Sequence, residues 1–207
     1  MAVDVIHAWH GTTQKNAQQI RNQGFKKTTI DFNETNLRNP NDLGEGIYCF
    51  IDSMYGNGKQ MAARYAHSYR DSIAKKQGCS IEVIEVEAAV QSSMMLDLDD
   101  ADTREIFIQF SQKHEMERTK IQYRLRNDGA NRRKNYDGIM VELFVRHINK
   151  QLKENAVQAV KKDTCTIFDG IISNFPNGTE LCIRDTTCVA LIEKEKMSHG
   201  DEFKKFL

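Results

Sequence analysis

The sequence predicts an α+β fold, and three of its features support that prediction. Segments of alternating apolar and polar residues are short, as is typical of strands. Glycine bounds many of them and permits tight turns. Segments with apolar residues at helical spacing separate them. The chain has 207 residues, of which 40% are hydrophobic and 28% charged. We therefore expect a single domain over residues 1–207 with an ordinary hydrophobic core.

The first elements are predicted from alternation and from capping residues. Alternating residues predict a strand over 3–9, which ends at the His-Gly-Thr-Thr turn at 10–13. Either threonine of that turn is suited to cap a helix at about 14–22, and Gly24 would end it. Residues 26–42 are polar and rich in asparagine, which indicates a long loop.

The stretch Leu-Gly-Glu-Gly-Ile-Tyr-Cys-Phe at 43–50 predicts a glycine turn that leads into a buried strand. Tyr48 and Phe50 share one face of that strand, because side chains alternate. A tyrosine after such a turn can pack its ring in the core while its hydroxyl faces a cleft. It can equally be an ordinary core residue. A helix over 59–74 follows, with aromatic and apolar residues at helical spacing.

The middle of the chain continues the alternation of strands and helices. Residues 80–90 alternate clearly and predict a central strand, and residues 94–98 extend the sheet. Asp102 with Glu105 resembles a helix-opening capping pair.

Toward the C-terminus, residues 136–143 indicate a strand. Apolar residues then recur every four positions over 144–160, which favours a helix. Short strands are predicted over 167–175, 180–184 and 189–193, with turn residues between the first two.

Composition excludes several classes of protein. Lys+Arg and Asp+Glu both number 29, so the net charge is zero and the overall charge does not require a nucleic acid or a membrane as partner. No apolar run reaches the roughly 18 residues of a membrane span. The N-terminus lacks the pattern of a signal peptide. The five cysteines are odd in number and scattered along the chain, which is typical of reduced thiols. We expect a cytoplasmic protein without a metal site.

Three polar or aromatic residues mark a candidate site. His10, Tyr48 and Glu180 each lie near the start or end of a predicted strand. Strand ends are where such scaffolds build clefts. These residue types suit transfer of a sugar, since a carboxylate can bind a ribose hydroxyl and stabilise an oxocarbenium-like transition state.

The same stretches resemble the His-Tyr-Glu signature of the diphtheria-toxin-like and poly(ADP-ribose)-polymerase-like ADP-ribosyltransferases. The family's His-Gly-Ser/Thr motif is similar to residues 10–12, and its Gly-x-Gly-Ile-Tyr-Phe motif to 44–50, where Cys49 precedes the phenylalanine. Its Ala-x-Tyr helix is similar to 63–65, and its glutamate strand loosely to 179–185. The resemblance covers roughly residues 5–90 and 165–193.

The resemblance implies a fold and a donor substrate. The fold would be a split, mostly antiparallel core of two sheets, with a helical insertion at about 100–163. The donor would be NAD, bound without a Rossmann motif and without a metal. Leu37 to Leu43 lie where the family has a donor loop that covers NAD.

The resemblance also implies roles for individual residues. The catalytic residues would be Glu180, His10 and Tyr48, with Glu180 polarising the ribose 2′-hydroxyl. His10 would hold a hydroxyl of the nicotinamide-side or the adenine-side ribose, and the Gly11 backbone would pair with the carboxamide. Tyr48 and Tyr65 would sandwich the nicotinamide ring. The NAD-binding residues implied are His10, Gly11, Thr12, Tyr48 and Tyr65.

The expected activity is mono-ADP-ribosyl transfer from NAD to a macromolecular acceptor, either protein or nucleic acid. An intracellular toxin or defence effector with an inhibitor partner would fit this activity. The basic stretch from Arg118 to Lys134 is either a solvated surface or a surface for a phosphate-rich acceptor. The alternatives are a non-catalytic module that binds NAD or ADP-ribose, an NAD glycohydrolase, and a transferase acting on RNA 2′-phosphate. The tyrosine pair argues against the last.

Overall fold

The structure is a computed structural model that describes residues 2–26, 29–34, 40–73, 78–124, 136–152, 156–168 and 173–192. The strands are β1 (Val3–Thr13), β2 (Ile47–Ile51), β3 (Ile81–Gln91), β4 (Met95–Asp97), β5 (Ala159–Thr164), β6 (Gly178–Ile183) and β7 (Val189–Leu191). The helices are α1 (Gln14–Gln23), α2 (Gly58–Ser68), α3 (Ala101–Lys113), α4 (Glu115–Gln122) and α5 (Asp137–Leu152). A π-helical turn at Tyr69–Ile73 continues α2.

The seven strands form one sheet in the order β4-β5-β6-β2-β1-β3-β7. All neighbours are antiparallel except β4 and β5. The predicted α+β class is confirmed, whereas the predicted division into two sheets is not. Within the described residues, β1 pairs with β3 from Val3 to Thr13 but with β2 at one position, Trp9 opposite Phe50. The sheet is therefore weakly joined between β1 and β2.

The register decides which side chains share a face. Trp9 lies opposite Phe50, and Phe50 lies opposite Glu180, so these three side chains point to the same side of the sheet. On that side α2 packs on a group of residues that we call the α2 cluster. It contains Trp9, Phe50, Met61, Ala62 and Phe168, with Tyr65 partly buried against them.

Three further clusters complete the core, and the smallest joins Phe32, Ile121 and Ile139. The α5 cluster lies beside the α2 cluster and contains Leu43, Leu98, Val141, Val145, Val157, Val160 and Cys182, with Tyr48 partly buried against it. The other side of the sheet packs against α1 through Ala17, together with strand residues such as Ile47, Val86 and Leu181. Both faces of β6 are consequently buried.

The prediction of a strand over 136–143 is wrong, because these residues belong mainly to helix α5. The helix buries Ile139, Met140 and Val141 in succession, since different clusters surround it. A short apolar run that is buried on several sides looks the same in a helix and in a strand. The helix ends at Leu152 instead of continuing to 160, and β5 occupies 159–164. Helices α3 to α5 lie in the region predicted as a helical insertion.

Smaller differences concern element ends. Strand β1 continues through 10–13, because its whole length pairs with β3. Of the two candidate caps for α1, Thr13 is the one whose side chain accepts from Asn16 N. The cap of α3 is Asp100 and not the predicted Asp102. The long strand β3 neighbours the edge strand β7, so β2 is the central strand of the sheet.

Candidate functional site

Glu180 is a buried carboxylate with hydroxyl donors. It is 9% exposed and lies in β6. Its Oε1 atom accepts a hydrogen bond from Thr166 Oγ1 at 2.7 Å, and Thr164 Oγ1 lies 3.2 Å from the same atom. A carboxylate so buried is costly unless such donors surround it. Sequence reasoning missed both threonines, because only the pairing of β5 with β6 brings 164–166 next to Glu180.

Aromatic rings lie on the same side of the sheet as this carboxylate. The Phe50 ring is 6.1 Å from the Tyr65 ring and 6.0 Å from the Phe168 ring, between centroids. Tyr65 also stacks on Tyr69 at 6.2 Å. Helix α2 thus carries Tyr65 to the face that Glu180 occupies, and the role of Tyr65 in NAD binding stays a prediction.

Both the hydroxyl and the ring of Tyr48 have partners within the protein. Its hydroxyl accepts from Leu43 N at 2.8 Å and donates to Gly44 O at 2.9 Å. Burial raises the pKa of this hydroxyl well above its usual value, so it stays protonated. The Tyr48 ring belongs to the α5 cluster and the Tyr65 ring to the α2 cluster. Phe50, on the same face as Tyr48, is the strand residue whose ring contacts Tyr65.

His10 lies where β1 and β2 separate. Its Nδ1 atom is 2.7 Å from the Tyr48 carbonyl oxygen, and its ring meets the Phe25 ring edge-on at 5.3 Å. Alternation along β1 points His10 to the side opposite Trp9, and therefore opposite Glu180. Burial lowers the pKa of His10, although the hydrogen bond to Tyr48 O partly offsets this. The structure thus joins His10 to the Tyr48 backbone, while Glu180 points to the other face.

Gly11 and Thr12 have structural partners of their own. A Cβ on Gly11 would lie 1.9 Å from the carbonyl oxygen of Ala62, so α2 packs directly on this glycine. This packing explains the glycine without a ligand. The Thr12 hydroxyl accepts a long hydrogen bond of 3.4 Å from the Asn16 side chain. The predicted roles of both residues in NAD binding stay predictions.

A buried ion pair supports the glycine turn before Tyr48. Arg184 Nη2 lies 3.0 Å and 2.9 Å from the two carboxylate oxygens of Glu142, and Arg184 Nη1 donates to Glu45 O at 2.9 Å. Gly44 has a φ of +82°, and a Cβ there would lie 2.8 Å from Glu142 Oε2. The first glycine of the Gly-x-Gly motif therefore serves this packing. The sequence did not reveal the pair, because its members lie 42 positions apart.

Two arginines in the described part of the basic stretch have partners within the protein, whereas Lys120 is exposed. Arg118 pairs with Glu115, and Arg124 Nη1 donates to the carbonyl oxygen of Phe32 at 2.9 Å. The rest of the stretch, residues 125–134, lies outside the described residues. So do residues 37–39 of the predicted donor loop, residues 169–172 of the predicted strand at 167–175, and Glu193 at the end of the last predicted strand.

The same described ranges hold an apolar groove but no metal-binding group. They contain no group of three or more His, Cys, Asp or Glu residues arranged to hold a metal ion. No helix in them is both long and apolar enough to cross a bilayer. An apolar groove of about 300 Å³ lies between β4, α3 and α5, lined by residues such as Leu96, Ile106 and Leu152. It contains none of the predicted site residues.

In comparisons with known proteins, no family model matches the chain, and no curated protein matches it significantly. The candidate site is therefore defined by its geometry. Its described parts are Glu180 with two threonines, the α2 cluster beside it, and the bond between His10 and Tyr48 at the separation of β1 and β2.

Proposed function

We propose that the protein is an NAD-dependent mono-ADP-ribosyltransferase that transfers ADP-ribose to a macromolecular acceptor. The position of Glu180 supports this most directly. It is a buried carboxylate directly opposite Phe50, whose ring contacts Tyr65. A carboxylate beside aromatic rings offers a negative charge for the ribose and a flat apolar surface for the nicotinamide ring.

The reaction breaks the bond between C1′ of the ribose and the nicotinamide nitrogen. Nicotinamide leaves as a neutral molecule with the bonding electron pair. A nucleophile of the acceptor forms a bond to C1′ and loses its proton. Glu180 binds the ribose 2′-hydroxyl and stabilises the positive charge that develops on the sugar. Tyr65 stacks on the nicotinamide ring.

His10 contributes a hydrogen-bond acceptor in this proposal. Its Nδ1–H donates to the Tyr48 carbonyl oxygen, so Nε2 of the neutral ring is the acceptor for a ribose hydroxyl. His10 lies on the other face of the sheet from Glu180. The ribose hydroxyl therefore has to reach Nε2 of His10 between β1 and β2. Tyr48 positions this histidine with its backbone, and its hydroxyl closes the turn from Leu43 to Gly44.

The acceptor class and the biological role remain part of the proposal. A toxin or defence effector with an inhibitor partner fits the resemblance in sequence. A nucleic-acid acceptor has limited support from the described residues, since Arg118 and Arg124 bind within the protein.

The test is incubation of the purified protein with adenylate-labelled NAD and a cell lysate, followed by separation of protein and nucleic acid. We expect label in one fraction, and Glu180→Gln should reduce its rate of appearance by at least about 100-fold, as loss of an electrostatic catalytic group does. Calorimetry should show that this variant still binds NAD. The matched control is Glu87→Gln, since Glu87 also lies in a strand but contacts the exposed His7, at 3.2 Å. It should leave transfer unchanged.

Other results would favour other functions. Release of nicotinamide without transfer of label would indicate a glycohydrolase. Binding of NAD without either product would indicate a non-catalytic module. Full activity in Glu180→Gln would show that a different residue is catalytic, and absence of both binding and turnover would overturn the proposal.

A further inference from the structure

Two threonines and one glutamate form a compact hydroxyl–carboxylate group beside the α2 cluster. Thr166 Oγ1 lies 2.7 Å from Glu180 Oε1, Thr164 Oγ1 lies 3.2 Å from the same atom, and the two hydroxyl oxygens are 3.0 Å apart. Thr164 is 6% exposed and Glu180 9% exposed. Thr164 and Glu180 are therefore largely shielded from water, Thr166 is partly buried, and these hydrogen bonds are made within the protein.

Counting protons identifies the main donor. An ionised carboxylate accepts only, and each threonine hydroxyl has one proton to donate. Thr166 makes the shorter contact, so we assign its proton to Glu180 Oε1. The Thr164 proton goes either to Glu180 or to Thr166, and in both arrangements Thr166 remains a donor to the carboxylate. A hydrogen bond to a charged acceptor is stronger than one between neutral groups.

Asn177 fixes the position of Thr166. Its Oδ1 atom accepts from Thr166 N at 2.9 Å, and its Nδ2 atom donates to Thr166 O at 2.8 Å. The Asn177 backbone N–H also donates to Thr164 O at 2.9 Å. The residue before Asn177 is Pro176, which has no N–H to offer a neighbouring strand. The amide side chain of Asn177 therefore ties the end of β5 to the start of β6 where the pairing of the two strands stops.

We propose that Thr166, held by Asn177, is the positioning residue for the Glu180 carboxylate during catalysis. This inference rests on the proposed function. A glutamate side chain has three rotatable bonds, and fixing one oxygen restricts the orientations of the whole carboxylate. The carboxylate is then already directed when substrate binds, and reorganisation during the reaction is small. Thr166 does not itself touch substrate in this scheme.

The test compares Thr166→Val, which removes the hydroxyl at nearly constant volume, with Thr166→Ser, which keeps it. Loss of a hydrogen bond to a charged group predicts that Thr166→Val lowers kcat for nicotinamide release about tenfold or more, while KM for NAD changes by less than about twofold. Thr166→Ser should return kcat to within about threefold of the wild-type value. The matched control is Thr119→Val, because Thr119 is also a threonine with a bonded hydroxyl, directed to Glu115 O at 2.9 Å in helix α4. It should change neither constant.

A second pair of variants tests the role of Asn177. Asn177→Ala should lower kcat, because Thr166 loses its clamp. Combined with Thr166→Val it should lower kcat no further than Thr166→Val alone, since both changes remove the same contact. Thermal unfolding of each variant shows whether it is folded at the assay temperature. If Thr166→Val is not folded, kcat is compared between the other two single variants. The inference then requires Thr166→Ser to stay within about threefold of the wild-type kcat and Asn177→Ala to lower it.

Each result separates this inference from the proposed function. An active wild type with unchanged kcat in Thr166→Val overturns the inference alone. So does a serine variant as slow as the valine variant, or an additive loss in the double variant. A wild type that neither transfers ADP-ribose nor releases nicotinamide overturns the proposed function and this inference with it. A double-mutant cycle of Thr166→Val and Glu180→Gln on the free energy of unfolding would then measure the contact as a purely structural one.

Discussion

The Nδ1 atom of His10 lies 2.7 Å from the carbonyl oxygen of Tyr48, at the point where β1 and β2 separate. Neighbouring strands usually satisfy such an oxygen with a backbone N–H. Here a side chain from β1 lies within hydrogen-bond distance of that oxygen. Because a carbonyl oxygen only accepts, Nδ1 carries the proton and the tautomer of His10 is defined. The contact therefore links two of the predicted site residues through the backbone of one.

This environment predicts how stability depends on pH. Burial lowers the folded pKa of His10 below its usual value of 6.5. The unfolded chain then binds a proton at a higher pH than the folded chain. The stabilisation is complete above the unfolded pKa and declines as pH falls from there toward the folded pKa. His10→Gln removes this titration, so between about pH 7.5 and about pH 5.5 the variant should lose less stability than the wild type.

Urea unfolding at the two pH values measures this difference. His7→Gln is the matched control, because His7 lies on the same strand but is 55% exposed in its side chain. It should follow the wild type more closely than His10→Gln does. Parallel loss of stability in wild type and His10→Gln would contradict the assignment of a partly buried, neutral His10.

Alanine substitutions at two glycines with positive φ distinguish the cost of backbone strain from the cost of close packing. Gly44 has a φ of +82° and Gly24 a φ of +73°. A Cβ would meet Glu142 Oε2 at 2.8 Å and Arg184 Nη1 at 3.0 Å at Gly44, but nothing within 4 Å at Gly24. Gly24 combines a φ of +73° with a ψ of 177°, a region that almost only glycine adopts, so Gly24→Ala should cost about 1 to 3 kcal/mol of unfolding free energy from conformation alone. Gly44→Ala should cost clearly more, because the added methyl group also displaces a buried ion pair.

Chemical denaturation of both variants gives the comparison, with the m-value checked to confirm that the unfolding transition is of the same kind. Equal losses of unfolding free energy would show that the Glu142–Arg184 pair accommodates the added methyl group at no cost in stability. NAD turnover should fall in Gly44→Ala and not in Gly24→Ala, because the Gly44 turn leads directly into Tyr48 and holds its hydroxyl.

Local signals in the sequence predicted the elements whose structure is set locally. Helix α1 begins after a threonine cap and ends at Gly24, whose φ is positive. Strand β3 shows the alternation that pairing on a sheet requires. Helix α5 was predicted in part as a strand, because its burial comes from several clusters and its residues 139–141 are all apolar. Strand β5 was missed, since Lys161, Lys162 and Asp163 interrupt its apolar pattern and pair with residues far along the chain.

The candidate site shows the same division. A motif can indicate Glu180 or Tyr65, and the pairing of β2 with β6 does bring the glutamate to the face where Tyr65 packs. The partners that orient these residues are non-local. Thr166 lies 14 positions before Glu180, and the bond from His10 to Tyr48 joins positions 38 apart. Such contacts depend on strand order and register, which no local pattern encodes.

The buried Glu142–Arg184 pair predicts a large loss of stability when one member is removed. Glu142 is 2% exposed and Arg184 6% exposed. Although burial opposes ionisation, Arg184 and Arg146 hold the pKa of Glu142 below its usual value. Glu142→Gln leaves the arginine buried without its counter-charge and should cost about 3 to 5 kcal/mol of unfolding free energy.

A surface pair provides the control for this prediction. Lys161 Nζ and Asp97 Oδ2 are 2.6 Å apart, but their side chains are 28% and 29% exposed. Asp97→Asn should therefore cost less than about 1 kcal/mol. Similar losses in the two variants would mean that the Glu142–Arg184 pair is far better solvated than its burial indicates.

Trp9 offers a direct measurement of NAD binding. It is the single tryptophan of the chain, and it lies in the α2 cluster with Phe50 and Phe168. Within the described residues its Nε1 atom has no hydrogen-bond partner. If the nicotinamide ring stacks on Tyr65, NAD should change the emission of Trp9 in a saturable way, because Tyr65 packs against the same cluster.

Variants at Tyr65 connect that signal to stacking. Tyr65→Ala should weaken NAD affinity about fivefold or more, whereas Tyr65→Phe should bind nearly as well, because the ring supplies most of the stacking energy. Tyr123→Ala, at a tyrosine that is 85% exposed, is the control for a general effect of losing a ring. NAD that binds by calorimetry without changing Trp9 emission in any variant would have its site away from the α2 cluster. The apolar groove between β4, α3 and α5 would then be the next place to test, because it is separate from the residues of the proposed site.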